Sequence, residues 1–175
     1  MSLDELETVL RERAETLGAA DEEPDSEMVE LALLRLGGER HAIELDRLVE
    51  VRIVDRIARV PGVPTAWAGM IAVRGALFPV LDLARLLGVA ETRPAAPAVI
   101  VLVWTGGAST GLLVDDVPEV TRVRREDLAR ASATPDSPSG AVTGVTRGLV
   151  SLLDLDAVLS DPRIDPTVPR QGGNS

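Results

Sequence analysis

The chain of 175 residues contains no cysteine and no lysine, and it has almost no aromatic side chains. The absence of cysteine excludes disulfides, thiolate metal sites and cysteine nucleophiles. Aromatic residues make up 2% of the sequence and apolar residues 45%, so the core is expected to consist of Val, Leu, Ile and Ala. No apolar run reaches the length of a membrane span, and the N-terminus is acidic, unlike a signal peptide. We therefore expect a cytoplasmic protein of one domain or two small halves.

Negative charge is concentrated at the N-terminus. The net charge is −10, and residues 1–28 hold ten acids and two arginines, a net charge of −8, which leaves −2 for residues 29–175. The main body is therefore neither a polyanion nor a basic surface of the kind that binds nucleic acid. We expect no nucleic-acid partner.

The first residues have the pattern of an amphipathic helix over residues 2–17. Ser2 and Glu5 have the spacing of a capping box. The apolar stripe consists of Leu3, Leu6, Leu10 and Leu17. We assign residues 1–18 to this helix and residues 19–27 to an acidic linker with too little apolar content to fold. The pattern leaves two placements open, packing on the protein's own body or docking on a partner.

From Met28 onward the pattern is that of short strands separated by turns. Gly37-Gly38 is a hairpin signal, and Pro79 predicts an edge or a bulge because proline cannot donate to a strand ladder. Asp82 is a candidate cap for a short helix that ends at Gly88, and Asp154, in the second Leu-Asp-Leu motif, is a candidate cap as well. The predicted strands of this part are Val29–Leu36, Glu39–Leu45 and Val49–Val54.

The strand pattern occurs twice, which indicates an internal duplication. Gly106 follows Gly37 by 69 residues, and Asp154 follows Asp82 by 72 residues. We predict two similar β-barrel halves, at about residues 28–90 and 97–160. We expect Ala131–Gly140 to be a flexible loop, and residues 161–175 to be a disordered tail because of their prolines and glycines.

The sequence contains no recognisable catalytic constellation. His41 is the only histidine, and no serine lies in a G-x-S-x-G context. Asp115 and Asp116 are adjacent, so in an extended segment they point to opposite faces. We expect a non-catalytic binding module without cofactor or metal. The alternative is a β-barrel enzyme acting through Asp115 or Asp116.

Seven segments of the chain together form a recognisable pattern. They are Leu36-Gly-Gly-Glu-Arg-His-Ala-Ile43, Leu48-Val-Glu-Val51, Val60-Pro-Gly-Val-Pro64, Gly69-Met-Ile-Ala-Val-Arg-Gly75, Pro79-Val-Leu-Asp-Leu83, Gly111-Leu-Leu-Val-Asp-Asp-Val117 and Leu149–Leu155. In order and spacing they resemble the CheW family of chemotaxis coupling proteins. They cover about residues 28–160, which we assign to a CheW-like domain. The sequence departs from the family at Ala72, where the family usually has asparagine.

The resemblance implies two five-stranded SH3-like β-barrels that share a core, with short helices and no enzymatic activity. It implies an adaptor that binds the regulatory domain of a CheA-type histidine kinase and the cytoplasmic tip of a chemoreceptor. Receptor contact is implied in the groove between the barrels, and kinase contact at a barrel end. The partner-binding residues that it implies are Glu50, Arg74, Leu48, Val51 and Val120.

Two alternatives remain open within this resemblance. Glu50 and Arg74 either form an ion pair with a structural role only or belong to a surface that partners contact. The output is either chemotaxis or another chemosensory pathway, such as pilus motility or gene regulation. The acidic N-terminal helix lies outside the matching segments.

Overall fold

The computed structural model describes residues 27–89, 96–129, 140–146, 148 and 150–165. The predicted N-terminal helix, the acidic linker up to residue 26, nearly all of the predicted loop at 131–140 and the chain from residue 166 lie outside the described residues. Among the described residues, no helix is long and apolar enough to cross a membrane.

The described chain is mainly β, as predicted, with ten strands and three short helices. The strands are β1 (Met28–Leu36), β2 (Glu39–Glu44), β3 (Leu48–Val54), β4 (Trp67–Val73), β5 (Ala76–Asp82), β6 (Ala98–Thr105), β7 (Ala108–Val114), β8 (Val120–Arg124), β9 (Val142–Val145) and β10 (Ser151–Leu153). The helices are α1 (Leu83–Leu87), α2 (Arg125–Ala129) and α3 (Leu155–Leu159), with 3-10 turns at Leu45–Arg47 and Pro162–Ile164.

The strands form two five-stranded sheets. Sheet 1 has the order β8-β1-β2-β10-β9, and sheet 2 has the order β3-β6-β7-β5-β4. The two orders become identical when β1 and β2 are matched with β6 and β7, and β8, β9 and β10 with β3, β4 and β5. This correspondence is the duplication that the sequence offsets predict. Closure of each sheet into a barrel stays a prediction.

The assignment of one barrel to each sequence half needs correction. Sheet 1 combines the first hairpin of the chain, β1–β2, with the last three strands. Sheet 2 combines the hairpin β6–β7 with β3, β4 and β5 of the first half. Each half therefore contributes its hairpin to one sheet and its other three strands to the other sheet. This exchange makes neither half an independent folding unit.

Apolar side chains form three clusters. One lies within sheet 1 and includes Leu31 and Leu33, and a second lies within sheet 2 and includes Ile100 and Leu102. The largest cluster is shared by both sheets and by α1 and α3. Leu31–Leu34 of β1 and Ile100–Val103 of β6 are buried on both faces, so these segments are apolar runs rather than alternating patterns.

The predicted helix caps are confirmed at both equivalent positions. The carboxylate of Asp82 accepts a hydrogen bond from the backbone N–H of Arg85 at 3.0 Å, and Gly88 ends α1 with φ of 72°. Asp154 caps α3 in the same way, by accepting from the N–H groups of Asp156 and Ala157. These aspartates therefore terminate strands and start helices, as the sequence predicts.

The prediction of a disordered tail is wrong for its first five residues. Pro162–Ile164 forms a 3-10 turn, and the Ile164 side chain is buried in the shared core. The indole Nε1 of Trp67 donates a hydrogen bond to the Ile164 carbonyl at 2.8 Å. Asp161 is buried and caps the turn, and the Arg163 guanidinium holds the pKa of Asp161 below its usual value. The local composition does not predict this ordered turn, because the turn depends on a contact with Trp67, which is distant in sequence.

Pro79 lies on β5 before the segment that pairs with β7, which begins at Val80. Its missing donor therefore leaves the β5–β7 ladder intact. The prediction of an edge is wrong, because β5 lies between β7 and β4 in sheet 2. The predicted alternative, a bulge, lies nearby on β4, where the β4–β5 register shifts between Trp67 and Gly69. On the other side of the hairpin, Ala58 and Met70 exchange two backbone hydrogen bonds of 2.9 and 2.8 Å. This bridge places the chain that follows β3 alongside β4.

Candidate functional site

Glu50 is a nearly buried carboxylate on β3, and its side chain is only 10% exposed. Its two oxygens face two arginines. Oε1 lies 3.3 Å from Nε of Arg52, and Oε2 lies 3.7 Å from a terminal nitrogen of Arg74. A buried carboxylate needs such partners because burial removes its hydration. Glu50, Arg52 and Arg74 are called the Glu50 cluster below.

A β-bulge at Val49 determines where Glu50 points. Leu48 pairs with Val103 and Glu50 with Leu102, so Val49 is an extra residue on β3. In a regular strand, positions 48 and 50 would share a face. The bulge instead leaves Leu48 in the shared core and turns Glu50 toward the other side of sheet 2.

Arg74 occupies a backbone conformation that favours glycine. It forms the two-residue turn between β4 and β5 with Gly75, and both residues have positive φ, 50° and 83°. This is the pattern of a type I′ hairpin turn. The hairpins β1–β2 and β6–β7 use a Gly-Gly pair with positive φ at the same place. Among these three described turns, the β4–β5 turn alone has an arginine at this position, at a cost of roughly 1–2 kcal/mol.

The turn presents Arg74 to solvent while its guanidinium still reaches Glu50. The Arg74 side chain is 73% exposed, whereas that of Arg52 is 30% exposed. An ion pair with one exposed partner contributes roughly 0–1 kcal/mol to folding. Arg52 is therefore the better placed partner for stabilising buried Glu50, and the Arg74 side chain is largely available to another molecule.

The second copy does not repeat this arrangement. Glu119, the equivalent of Glu50, is exposed and precedes β8 rather than lying inside it. Its backbone carbonyl accepts a hydrogen bond from the N–H of Leu33. Arg147, the equivalent of Arg74, lies outside the described residues. The buried carboxylate is thus a feature of the first copy.

The three apolar candidates lie at the shared core, Leu48 and Val51 on β3 and Val120 on β8. Leu48 is 3% exposed and is a member of that core, so it packs there rather than presenting a surface. Val51 and Val120 are half-buried and pack against the same core from equivalent positions on β3 and β8. The structure therefore separates the candidates into the pair Glu50–Arg74 and the group Leu48, Val51 and Val120.

Arg52 is the member of the Glu50 cluster that sequence reasoning missed. It follows Glu50 by two residues, so both side chains lie on one face of the strand. That spacing is a usable signal, although an arginine in a strand is usually a solvated residue.

Asp115 and Asp116, the carboxylates of the alternative enzyme hypothesis, accept hydrogen bonds from backbone N–H groups. Oδ2 of Asp115 accepts from the N–H of Gly37 at 2.6 Å, and Oδ1 of Asp116 accepts from the N–H of Val117 at 2.8 Å. Both aspartates are exposed. Within the described residues, no group of three or more His, Asp or Glu side chains has the arrangement of a metal site.

Comparisons with known proteins agree with the fold and the motifs. Residues 30–163 match the family described as "CheW-like domain". The chain is 29% identical over 139 residues to a probable chemotaxis protein CheW of Rhizobium etli, covering 75% of this chain and 88% of that protein. It is 23% identical over 145 residues to the chemotaxis protein CheW of Bacillus subtilis, covering 81% and 93%.

A solved structure has the same fold. The crystal structure of the scaffolding protein TtCheW from Thermoanaerobacter tengcongensis superimposes with a TM-score of 0.66 at 21% identity, covering 78% of this chain and 91% of that one. The family match spans nearly all of the described residues, including both sheets and the Glu50 cluster. The chain belongs to the CheW family.

Proposed function

We propose that this protein is a non-catalytic adaptor that couples chemoreceptors to a CheA-type histidine kinase in the cytoplasm. The observation that carries the proposal is the exposed Arg74 guanidinium, which is presented on a strained turn beside a buried carboxylate. Strain in a sparsely populated backbone region is a signal of function when glycine would relieve it. The resemblance implies coupling between a receptor and a kinase, and the family match supports this role.

Two surfaces carry the contacts in this proposal. The Glu50 cluster at the β4–β5 turn supplies one polar contact through Arg74. The second surface is the border between the sheets, where Val51 and Val120 are half-buried at equivalent positions. Leu48 supports this border from inside the core. A charged contact of this kind contributes to the specificity of binding as well as to its strength.

Reconstitution tests the proposal. The full chain is mixed with a CheA-type kinase and the cytoplasmic fragment of a chemoreceptor from the same organism, and complexes are separated by size-exclusion chromatography. We expect a ternary complex and receptor-dependent control of kinase autophosphorylation only when this chain is present. If the chain binds neither protein and leaves kinase activity unchanged, the proposal is refuted.

A chemosensory pathway with another output gives the same complex in vitro. A deletion strain separates the two. Loss of directed swimming supports chemotaxis, and loss of pilus motility or altered gene expression with normal swimming supports the alternative.

A further inference from the structure

The β4–β5 hairpin has an outer apolar face on which Ala72 and Leu77 are exposed and Met70 and Pro79 are half-buried. Met70 pairs with Pro79 and Ala72 with Leu77 across the hairpin, and Ala58 pairs with Met70 on the outer side. We call these five residues the outer hairpin face.

Side-chain alternation explains why this face is separate from the cores. The intervening residues Ile71, Val73 and Val80 point into the cluster within sheet 2. Residues of the outer hairpin face therefore point away from it, and none of them belongs to the three apolar clusters of the described chain. Leu77 is 67% exposed, and Ala58 and Ala72 are also exposed.

Arginines border this apolar face. Arg74 lies in the turn that joins the two strands, and Arg56 is exposed two residues before Ala58. Residues 52–74 contain four arginines and one aspartate in a chain of net charge −10. An apolar face with a cationic border is complementary to an amphipathic segment with a leucine stripe and carboxylates beside it.

Such a segment is present in this chain. Residues 2–17 carry the stripe of Leu3, Leu6, Leu10 and Leu17 and contain five carboxylates and two arginines. This segment lies outside the match to the family, which begins at residue 30. Ten residues, 18–27, connect it to β1, and an extended chain of that length spans roughly 33 Å. That reach is about the diameter of a small domain.

We propose that residues 2–17 dock on the outer hairpin face of the same molecule and cover Arg74. The leucine stripe packs on Leu77, Ala72 and Met70, and the carboxylates face Arg56 and Arg74. The segment then competes with any partner that contacts the Arg74 guanidinium. Docking itself is independent of the proposed adaptor function, and only its inhibitory consequence rests on that function.

The three methionines of the chain provide a direct test. Met1 is in the acidic segment, Met70 is on the outer hairpin face, and Met28 is on β1 in sheet 1. The full-length protein is labelled with 13C at the methionine methyl groups, and its spectrum is compared with that of a Leu6→Ser/Leu10→Ser variant. We expect the Met70 methyl resonance to shift and the Met28 resonance to stay in place. In the reciprocal variant, Leu77→Ser, we expect the Met1 resonance to move to its random-coil position.

The outcomes of this experiment distinguish residues 2–17 from other molecules that could bind the outer hairpin face. An unchanged Met70 resonance in the double variant, with Met1 already at its random-coil position in the native protein, overturns the proposal. A Met70 resonance that depends on protein concentration and ignores the double substitution assigns the face to a second copy. A Met70 resonance that moves only when kinase or receptor is added assigns it to that partner.

Partner binding tests the inhibitory consequence separately. If the segment is docked in about nine molecules of ten, the apparent Kd for a partner at Arg74 is raised about tenfold. The Leu6→Ser/Leu10→Ser variant should therefore bind about tenfold more tightly. If Met70 shifts but affinity does not change, docking stands and the role of Arg74 in partner binding fails.

Discussion

Replacing Arg74 by glycine separates the partner-binding role of this residue from a structural one. Arg74 has φ of 50° in a two-residue turn where two other hairpins have glycine. Glycine adopts this conformation without steric cost, so Arg74→Gly removes the guanidinium and relieves the backbone together. Alanine would remove the guanidinium but keep the strain.

The expected change in folding free energy is small because opposing effects are similar in size. Glycine removes the steric strain of a left-handed arginine, which stabilises the fold by roughly 1–2 kcal/mol. Greater freedom of glycine in the unfolded chain costs about 0.4–1 kcal/mol. Loss of the exposed ion pair with Glu50 costs roughly 0–1 kcal/mol, since Arg52 remains beside Glu50. We therefore expect the free energy of unfolding to change by between about −1 and about +1.6 kcal/mol.

Partner binding should respond differently. We expect Arg74→Gly to weaken binding to kinase or receptor at least tenfold, measured by isothermal titration calorimetry, while urea unfolding stays close to that of the native protein. Arg74→Lys is the control for charge, and Arg74→Asn keeps a polar side chain that tolerates the left-handed conformation. Removing one partner of a fully buried ion pair costs about 3–5 kcal/mol. The reasoning would be refuted if Arg74→Gly lowered the free energy of unfolding by that amount while the molecules that remain folded bound the partner as tightly as the native protein does.

Three further predictions concern stability. Gly69→Ala should lower the free energy of unfolding by roughly 3 kcal/mol or more, because φ is 144° and a methyl group would overlap backbone atoms of the bridged neighbouring segment. Burial lowers the pKa of His41 below 6.5, so the unfolded chain binds a proton first and stability falls as pH decreases below 6.5, by at most about 1.4 kcal/mol per pH unit. Asp161→Ala should release the 3-10 turn and expose Trp67, seen as a red shift of its fluorescence in a Trp104→Phe background.

Each of these predictions has a matched comparison. Gly38 has φ of 88° and open space around it, so Gly38→Ala carries backbone strain without overlap, and equal losses at the two glycines would contradict the overlap. His41→Leu should flatten the stability profile between pH 5 and 7, and an unchanged profile would assign the slope to other groups. For the tail, Asp165→Ala leaves the Asp161 cap intact, and an identical spectral shift in both variants would rule out the cap as the cause.

Local patterns predicted the elements of this fold well. The Gly-Gly pairs marked two hairpins, and Asp82 and Asp154 marked the starts of two helices. These predictions succeeded because each depends on neighbours within a few residues, where backbone sterics and side-chain caps decide conformation. The offset of 69 residues also revealed the equivalence of β1–β2 with β6–β7.

Long-range relations were beyond the sequence pattern. Exchange of the hairpins between the halves satisfies the same local signals as two separate barrels, so only strand pairing distinguishes them. The order of Asp161 to Asp165 depends on a contact with Trp67, about a hundred residues earlier in the chain. Composition alone predicted disorder there.

The candidate site shows the same division. Sequence alone determined that Glu50 is a charged residue within an apolar strand and that Arg74 is a charged residue between two apolar runs, because charge in such a pattern is visible without coordinates. Only the tertiary structure decided that Glu50 is buried between Arg52 and Arg74, while Leu48 and Val51 face the shared core. The physical reason is the bulge at Val49, since one extra residue on a strand changes the face of every side chain that follows.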